Sequence, residues 1–518
     1  MRTTTHAALW VTLGVLLAAP LPARALDGTL KLGGVIRNQT GDRSTVQETF
    51  NVFDGFAVTQ IRLDGPVAPG QYLDLDVRDA NLESRRVSLA YRLPGTFQFT
   101  GGYQQHRQVF SPDGAVDARR RDWKVGSQYS PTRWLSLSGA FDSQTRDGDR
   151  LPYPLGSTGV LGTRYDNALR TGEVTADVHG GRRGAAVTYR ASGYTDDLDG
   201  GARRTGQVVS ARLYMPCAFT SKLTHLLRAA YGTSRLSGRD LDVTLASFQY
   251  TGVLQPVDAL QVRYAFESAR TDAHATRLRT DRIQNSLDAS WIHRFGQLSG
   301  GYAYETNDDD RSLTSYNTWR GGAILHAGKV VDAKFDVTSR VKKDQEELTL
   351  LKDLDASQLR ARLQVRPYEP LTLGAGYARR ERDFTDLHVD LKGDVLNTFA
   401  HWTLPGWGEL SGDFSASRDD GRDLSGGFHT RSRIVTARLD VERIRNVRLA
   451  GGVTWLDYRR DLDQEKSLGF AEGVFTLRDA YHLEVRYNVY NFDDYIQLSR
   501  YYTANVLRID LAYDFHLR

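Results

Sequence analysis

The sequence predicts an all-β protein, a transmembrane antiparallel β-barrel of about 26 strands with short periplasmic turns and longer extracellular loops. Three observations predict it. Apolar and polar residues alternate from one end of the chain to the other, the connections between alternating runs are of two kinds that themselves alternate, and helical spacing is nowhere sustained.

The alternation is plainest where a proline turn precedes it. "SPTRWLSLSGAF" puts Leu135, Leu137, Gly139 and Phe141 on one face and Ser136, Ser138, Ala140 and Asp142 on the other. The same pattern returns in "QPVDALQVRYAF" from Gln255, in "RPYEPLTLGAGY" from Arg366 and, shortened, in "LPGTFQFTGGY" from Leu93. "QYLDLDVRD" sets Leu73, Leu75 and Val77 against Asp74, Asp76 and Arg78, and "SQLRARLQVR" sets Leu359, Ala361, Leu363 and Val365 against Arg360, Arg362 and Arg366. "YHLEVRYNVY" sets Tyr481, Leu483, Val485, Tyr487 and Val489 against His482, Glu484, Arg486 and Asn488. Such strands have two environments, lipid on one face and an aqueous lumen on the other. Lumen-facing candidates are therefore Asp74, Asp76, Arg78, Glu267, Arg360, Arg362, Arg366, Arg438, Glu484 and Arg486. Phe141, Tyr264, Tyr377, Tyr481 and Tyr487 suit the aromatic girdles at the headgroups.

One class of connection is short and built on Pro and Gly, as in "LPGT" at 93, "SPTR" at 130 and "LPGWG" at 404. The other reads as longer and charged: "FSPDGAVDARRRD" from Phe110, the stretch from Ser143 to Arg170, "YTDDLDGGARR" from Tyr194, "ETNDDDRS" from Glu305 and "SRDDGRDLSGG" from Ser417. A strand between consecutive connections gives a first strand near Gly28 to Arg37 and a last near Arg500 to Phe515. Closure follows from chemistry, since lipid offers no partner to a strand's N–H and C=O groups and every edge must be paired.

Residues 1–25 read as a secretory signal peptide: Arg2, then "AALWVTLGVLLAAPLPA", then Ala23-Arg24-Ala25 as the cleavage pattern. Residues 26–518 read as one barrel domain, exported to the bacterial outer membrane. The 67 basic residues, Arg2 and Arg24 of the leader among them, face 63 acidic ones, a balance that argues against nucleic acid as a partner. Cys217 is the single cysteine, so no internal disulfide and no Cys-x-x-Cys-His haem attachment exists, and a small apolar group on a strand is the expected role. No nucleophile elbow, Walker loop or zinc motif is present. His482 and Asp510 share a face by alternation, but no spacing joins them, so no enzyme activity, catalytic residue, metal site or cofactor of its own is expected. "DDLDGG" at Asp196 and "NDDDR" at Asn307 lack the twelve-residue calcium pattern and read as solvated charge.

The last strand, "LRIDLAYDFHLR", aligns Leu507, Ile509, Leu511, Tyr513 and Phe515 on one face. This resembles the C-terminal signal by which the barrel-assembly machinery of Gram-negative bacteria recognises clients, although His516, Leu517 and Arg518 follow the aromatic. The repeated unit in "RPYEPLTLGAGYARRERDFTD" and "SPTRWLSLSGAFDSQTRDGDR" resembles the outer-membrane barrel of porin-cytochrome electron conduits, the decahaem-associated MtrB/PioB type. The resemblance implies a sheath around a multihaem c-type cytochrome in extracellular electron transfer, with haem only in that partner. The chain is shorter than typical members and lacks the N-terminal Cys-x-x-Cys of many of them. Barrels of about 22 strands carry a plug, whereas here strand pattern begins almost at once, at Gly28, so a partner or folded-in loops are expected to fill the lumen. A passive or solute-selective porin partly closed by its loops is the alternative, and a lipid-export barrel is the third reading. Outer-membrane lipid and lipopolysaccharide complete the expected surroundings.

Overall fold

A computed structural model describes residues 26–42, 55–109, 117–149, 164–197, 202–237, 241–274, 276, 278–309, 312–344, 353–384, 389–423, 426–498 and 500–517. The leader, residues 1–25, lies outside the described residues.

The chain runs through 26 antiparallel strands. The first seven are β1 (Leu26–Gly41), β2 (Gly55–Ala68), β3 (Gln71–Arg78), β4 (Arg85–Leu93), β5 (Phe97–Val109), β6 (Asp117–Thr132) and β7 (Leu135–Asp149). There follow β8 (Arg164–Gly180), β9 (Arg183–Asp196), β10 (Ala202–Pro216), β11 (Leu223–Ser237), β12 (Leu241–Val257), β13 (Leu260–Ala273) and β14 (Leu278–His293). Next are β15 (Gly296–Asp309), β16 (Ser312–Ala327), β17 (Val331–Asp344), β18 (Leu354–Tyr368), β19 (Leu371–Phe384) and β20 (Val389–Leu404). The last are β21 (Gly408–Asp423), β22 (Gly426–Val441), β23 (Val447–Arg460), β24 (Gln464–Arg478), β25 (Tyr481–Asp494) and β26 (Tyr501–Leu517).

Each strand pairs with its neighbours in sequence, and β1 pairs with β26 from Leu26↔Leu517 to Gly41↔Tyr502, so the sheet closes on itself. Side chains stitch that seam as well as backbone. Thr29 Oγ1 donates to Asp514 (2.6 Å), Lys31 Nζ reaches Glu484 (2.5 Å), Tyr502 Oη donates to Gln39 (2.9 Å), and His516 meets Asp27.

The register preserves the two faces around the ring. Apolar Leu363 stands beside Ala333 and Ala375, while Arg362 stands beside Lys334 and Gly376. Bulges fall mainly next to turns, at Tyr129/Thr132, Leu254/Val257, Val365/Tyr368 and Thr476/Arg478, where an extra residue does not disturb the alternation of the span. The shift at Lys31/Leu32 is the exception. The apolar face is widely exposed: Leu363, Val174, Leu287, Leu439 and Leu511 all lie open. On β3, by contrast, Leu73, Leu75 and Val77 are buried, and Leu73 packs with Leu26, Val67, Leu89 and Tyr91.

Tryptophans gather at two levels along the strands. Trp134, Trp291, Trp402 and Trp407 sit at the turn ends, all exposed, while Trp123 and Trp319 sit farther along and pack on Tyr103 and Tyr302 at 4.4 and 4.5 Å. Trp123 stands in register with Ser143, nine residues beyond Trp134. That separation is about 30 Å along a strand and, at a tilt of about 40°, about 23 Å along the barrel axis, close to the height of a lipid-facing band.

The turn-side connections have two to six residues, such as 181–182 and 217–222. The opposite connections are shorter than the charge clusters suggest. "ETNDDDRS" and "SRDDGRDLSGG" are mostly strand: β15 and β16 are joined by residues 310–311 alone, and β21 and β22 by 424–425 alone. The stretch from Ser143 to Arg170 contributes to β7 and β8 on both sides of residues 150–163, which lie outside the described residues. Opposite charges facing each other across neighbouring strands, such as Arg270 and Asp281 (2.9 Å), extend the ladder past the apolar band. Cys217 is not on a strand; it opens the turn after β10, its N–H donating to Leu223.

Two measurements test this fold. Leu363→Arg, placing a cation on the apolar face, is expected to destabilise the refolded barrel by about 2 kcal/mol or more, and Arg362→Leu by much less, in a denaturant titration in lipid; the reverse order would put the register one residue out. A double-mutant cycle on Lys31 and Glu484, which join β1 to β25 across β26 and are each about one-quarter exposed, is expected to give a coupling of about 1 kcal/mol. A coupling near zero would remove the pair from the closure.

Candidate functional site

The face opposite the apolar one carries nearly all the convergent polar chemistry of the strands. Nine of the ten residues singled out for the lumen lie on this face when the register is followed from strand to strand, while Arg366 falls in the bulge between Val365 and Tyr368, outside the pairings. Asp74, Asp76 and Arg78 of β3 stand opposite Asp64, Arg62 and Gln60 of β2. Glu267 stands opposite Gln249 and Gln284, and Arg360 and Arg362 opposite Asp336 and Lys334. Arg438 stands beside Ser411 and Gly452, Glu484 opposite Asp510, and Arg486 opposite Arg508. The five residues of the expected assembly signal, Leu507, Ile509, Leu511, Tyr513 and Phe515, occupy the apolar face of β26, where Tyr513 stacks on Tyr481 (4.9 Å) and Phe515 (5.7 Å).

Contacts divide these residues into local groups. Asp76 accepts from Gln60 (2.8 Å) and Arg78 (2.7 Å). Glu305 of β15 is shared by Arg282 (3.1 Å) and Arg340 (3.5 Å), and Arg282 also approaches Glu267 (3.7 Å). At the turn end, a recess of 790 Å³ is lined by Glu409, Arg438, Asp440, Arg448 and Glu472. Within it Arg438 forms a fork with Asp440 (2.7 and 2.8 Å), and Phe470 beyond lies under both Arg438 (5.6 Å) and Arg486 (5.4 Å). A second recess, of 530 Å³, is lined by Lys31, Arg62, His482, Glu484 and Asp514.

His482 and Asp510 do not meet. The partner of His482 is Asp514 (2.9 Å), its other ring nitrogen meets Thr476 Oγ1 (3.1 Å), and Asp510 instead accepts from Arg508 (2.6 Å). Thr476, His482, Asp514 and Thr29 thus form a chain across β24, β25, β26 and β1. It has the residue types of a nucleophile, base and orienting acid. Of the surrounding backbone N–H groups, that of Thr476 donates to Asn446 and that of Asp514 to Ala480. The chain of contacts serves the seam. Alternation assigns each of these residues a face but no height, and only the register between strands brings 476, 482 and 514 level.

β24 departs from the pattern. Leu468, Phe470 and Val474 lie on the charged face, with Gly469, Ala471 and Gly473 on the other. Phe470 earns that position as a platform for two guanidinium groups. Among the described residues, no group of three His, Cys, Asp or Glu side chains is placed to hold a metal ion.

No family model matches the chain, and no curated protein matches it. Solved structures do. The siderophore receptor PirA from Pseudomonas aeruginosa is similar over 95% of this chain and 80% of its own, at 9% identity and a TM-score of 0.54. A point mutant of the ferric enterobactin receptor PfeA from Pseudomonas aeruginosa, in complex with enterobactin, matches over 95% and 82%, at 9% identity and a TM-score of 0.56. PirA from Acinetobacter baumannii matches over 95% and 80%, at 8% identity and a TM-score of 0.57. At such identities the likeness is one of fold: a large closed antiparallel β-barrel.

Proposed function

We propose that the protein is an outer-membrane barrel whose apolar face meets lipid and whose charged face lines a lumen that holds a folded partner, in the manner of a sheath for a multihaem c-type cytochrome. The observation that carries this reading is the width set by 26 strands. With strands about 4.8 Å apart and tilted by about 40°, a circular section puts opposite backbones about 50 Å apart and leaves a lumen about 40 Å wide. A folded domain of about 100 residues has a radius of gyration near 13 Å, hence a diameter of about 34 Å, and fits such a space. An open passage of that width would equilibrate the periplasm with the medium. Mixed-sign charge on the inner wall suits a docked protein surface, which needs complementary charges of both signs.

The chain has one cysteine and no haem attachment motif, so electron transfer in this reading belongs to the enclosed partner. The barrel supplies insulation from lipid, a fixed orientation and an aqueous seal. The C-terminal face of Leu507 to Phe515 acts in this reading as the signal to the assembly machinery.

A second reading is a solute-transporting barrel. It is favoured by the similar structures, which are siderophore receptors. In that case the loops or another segment would narrow the passage.

Purification from native outer membranes tests the two. The protein is expected in the carbonate-resistant fraction, migrating faster in unheated than in boiled SDS gels, and to bring with it a separate polypeptide carrying covalent haem. Reconstituted alone it should leak small ions strongly; with its partner it should be nearly impermeable and pass electrons to an enclosed acceptor. A stable, haem-free native barrel that conducts a defined solute would replace the sheath by the transporter.

A further inference from the structure

Charge on the inner-facing side is not evenly mixed. On β18 and β19 that face holds Arg360, Arg362, Arg380 and Arg382, with Arg366 in the bulge beside them, and no carboxylate, and the same face of β20, with Thr403, His401, Phe399, Asn397 and Val395, has none either. The nearest acids on that face are on the flanking strands: Asp332 and Asp336 of β17, and Glu409, Asp413 and Asp419 of β21. Those of β17 are already engaged, Asp336 with Lys334 (3.2 Å) and Asp332 with His326 (2.5 Å) and, at 3.9 Å, Arg366. Arg380 and Arg382 are exposed and make no ion pair among the described residues.

The residues between the arginines are small. Gly376 and Ala378 stand opposite Arg362 and Arg360, and Ala356 opposite Arg382. Gly374 is held to glycine by its neighbour, since a Cβ there would lie 2.1 Å from the ring of Phe399. Arg362 extends over this gap to the same ring, 5.9 Å from its centroid. The guanidinium groups therefore stand proud of a shallow floor. Arg382 is in register with Ala356, ten residues from Arg366, so the strip is about 30 Å long. A single small anion would engage two of these groups at most, whereas the length matches one side of a folded domain. Arginine in place of lysine favours forked pairing with carboxylates.

We propose that the β18–β19 strip is a docking surface for the acidic face of a polypeptide held inside the barrel. It rests on the enclosed-partner reading and fixes which way such a partner faces: its carboxylates toward β18 and β19.

The test uses the full-length barrel refolded in detergent and a fluorescein-labelled peptide of ten glutamates, followed by anisotropy. The variant R362Q/R380Q/R382Q is expected to weaken binding about tenfold, and R204Q/R212Q/R228Q, which removes the same charge from β10 and β11, by less than about twofold. Raising the salt should weaken the unmutated barrel toward the level of the first variant. Unheated gel mobility reports whether each variant is folded; should the triple variant fail to fold, R382Q alone is expected to weaken the peptide two- to threefold. Equal losses in both triple variants would reduce the strip to net charge and overturn the proposal. So would tripolyphosphate binding as tightly as the peptide with the same arginine dependence, which would make it a small-anion site. The assay needs no native partner. A haem-free native barrel that still binds the peptide through these arginines would remove the cytochrome and leave the strip, while a retained haem partner with a peptide indifferent to the variant would remove the strip alone.

Discussion

The pairing of β1 with β26 is the contact on which the rest depends. Strands 2 to 25 each find two neighbours by following the chain, but the first and last would present open edges without each other, and in hydrocarbon an open edge has nothing to bond. The seam is accordingly complete in backbone, from Leu26↔Leu517 to Gly41↔Tyr502. Side chains bridge it as well: Thr29 to Asp514 to His482 to Thr476, and Lys31 to Glu484. Gly33 and Gly28 allow the closeness, since a Cβ at either would collide with Asp510 or Phe515. Closure further requires that the alternation agree after one full circuit, which explains why bulges gather beside turns: a one-residue slip in mid-span would turn the apolar column of every later strand inward.

Given closure, strand number fixes width, and width determines what chemistry the wall can perform. In a narrow barrel, side chains from opposite walls meet and form a filter or a site. Across about 40 Å they cannot, and the groups that do meet, such as Glu305 with Arg282 and Arg340 or Phe470 with Arg438 and Arg486, are neighbours along the wall. On the proposed reading, a wall of this kind engages its partner by surface complementarity, the way one protein recognises another. This is the physical reason for preferring an enclosed partner over catalysis or a side-chain filter, independently of any resemblance.

The period-2 pattern made the strands, their faces and their approximate number legible, because a strand between lipid and water has no other way to arrange its side chains. The pattern was weakest where the environment stops being two-sided. Beyond the apolar band both faces are wet, so Asp309, Asp420 and Arg418 carry charge on either side, and strand there looks like loop; the ladder continues because facing charges pair. β24 was opaque for the opposite reason, its large apolar residues turned to the charged face to seat arginines. Nor could alternation supply height. That Thr476, His482 and Asp514 are level depends on registers set by turns, and the sequence distance of Lys31 from Glu484 hides a contact that closure alone creates.

Height also separates charge that is merely plentiful from charge that is sorted. By composition the chain is nearly neutral, 67 basic residues against 63 acidic ones, and most inner-facing cations have a carboxylate within reach, two residues along the strand or on the next one, as with Arg78 and Asp76, Arg508 and Asp510, or Lys334 and Asp336. Pairing of that kind neutralises the wall and makes it indifferent to an approaching charge. On the inner face of β18 and β19 the positions around the arginines are Gly374, Gly376, Ala378, Gln358 and Gln364, with no carboxylate on that face, and Arg366 reaches across to Asp332 of β17 at 3.9 Å. Arg380 and Arg382, exposed and outside any ion pair among the described residues, add like charge to this stretch of wall, which lowers stability unless something of opposite sign lies against it. On the enclosed-partner reading, the opposite sign comes from the lumen and not from this face of the wall.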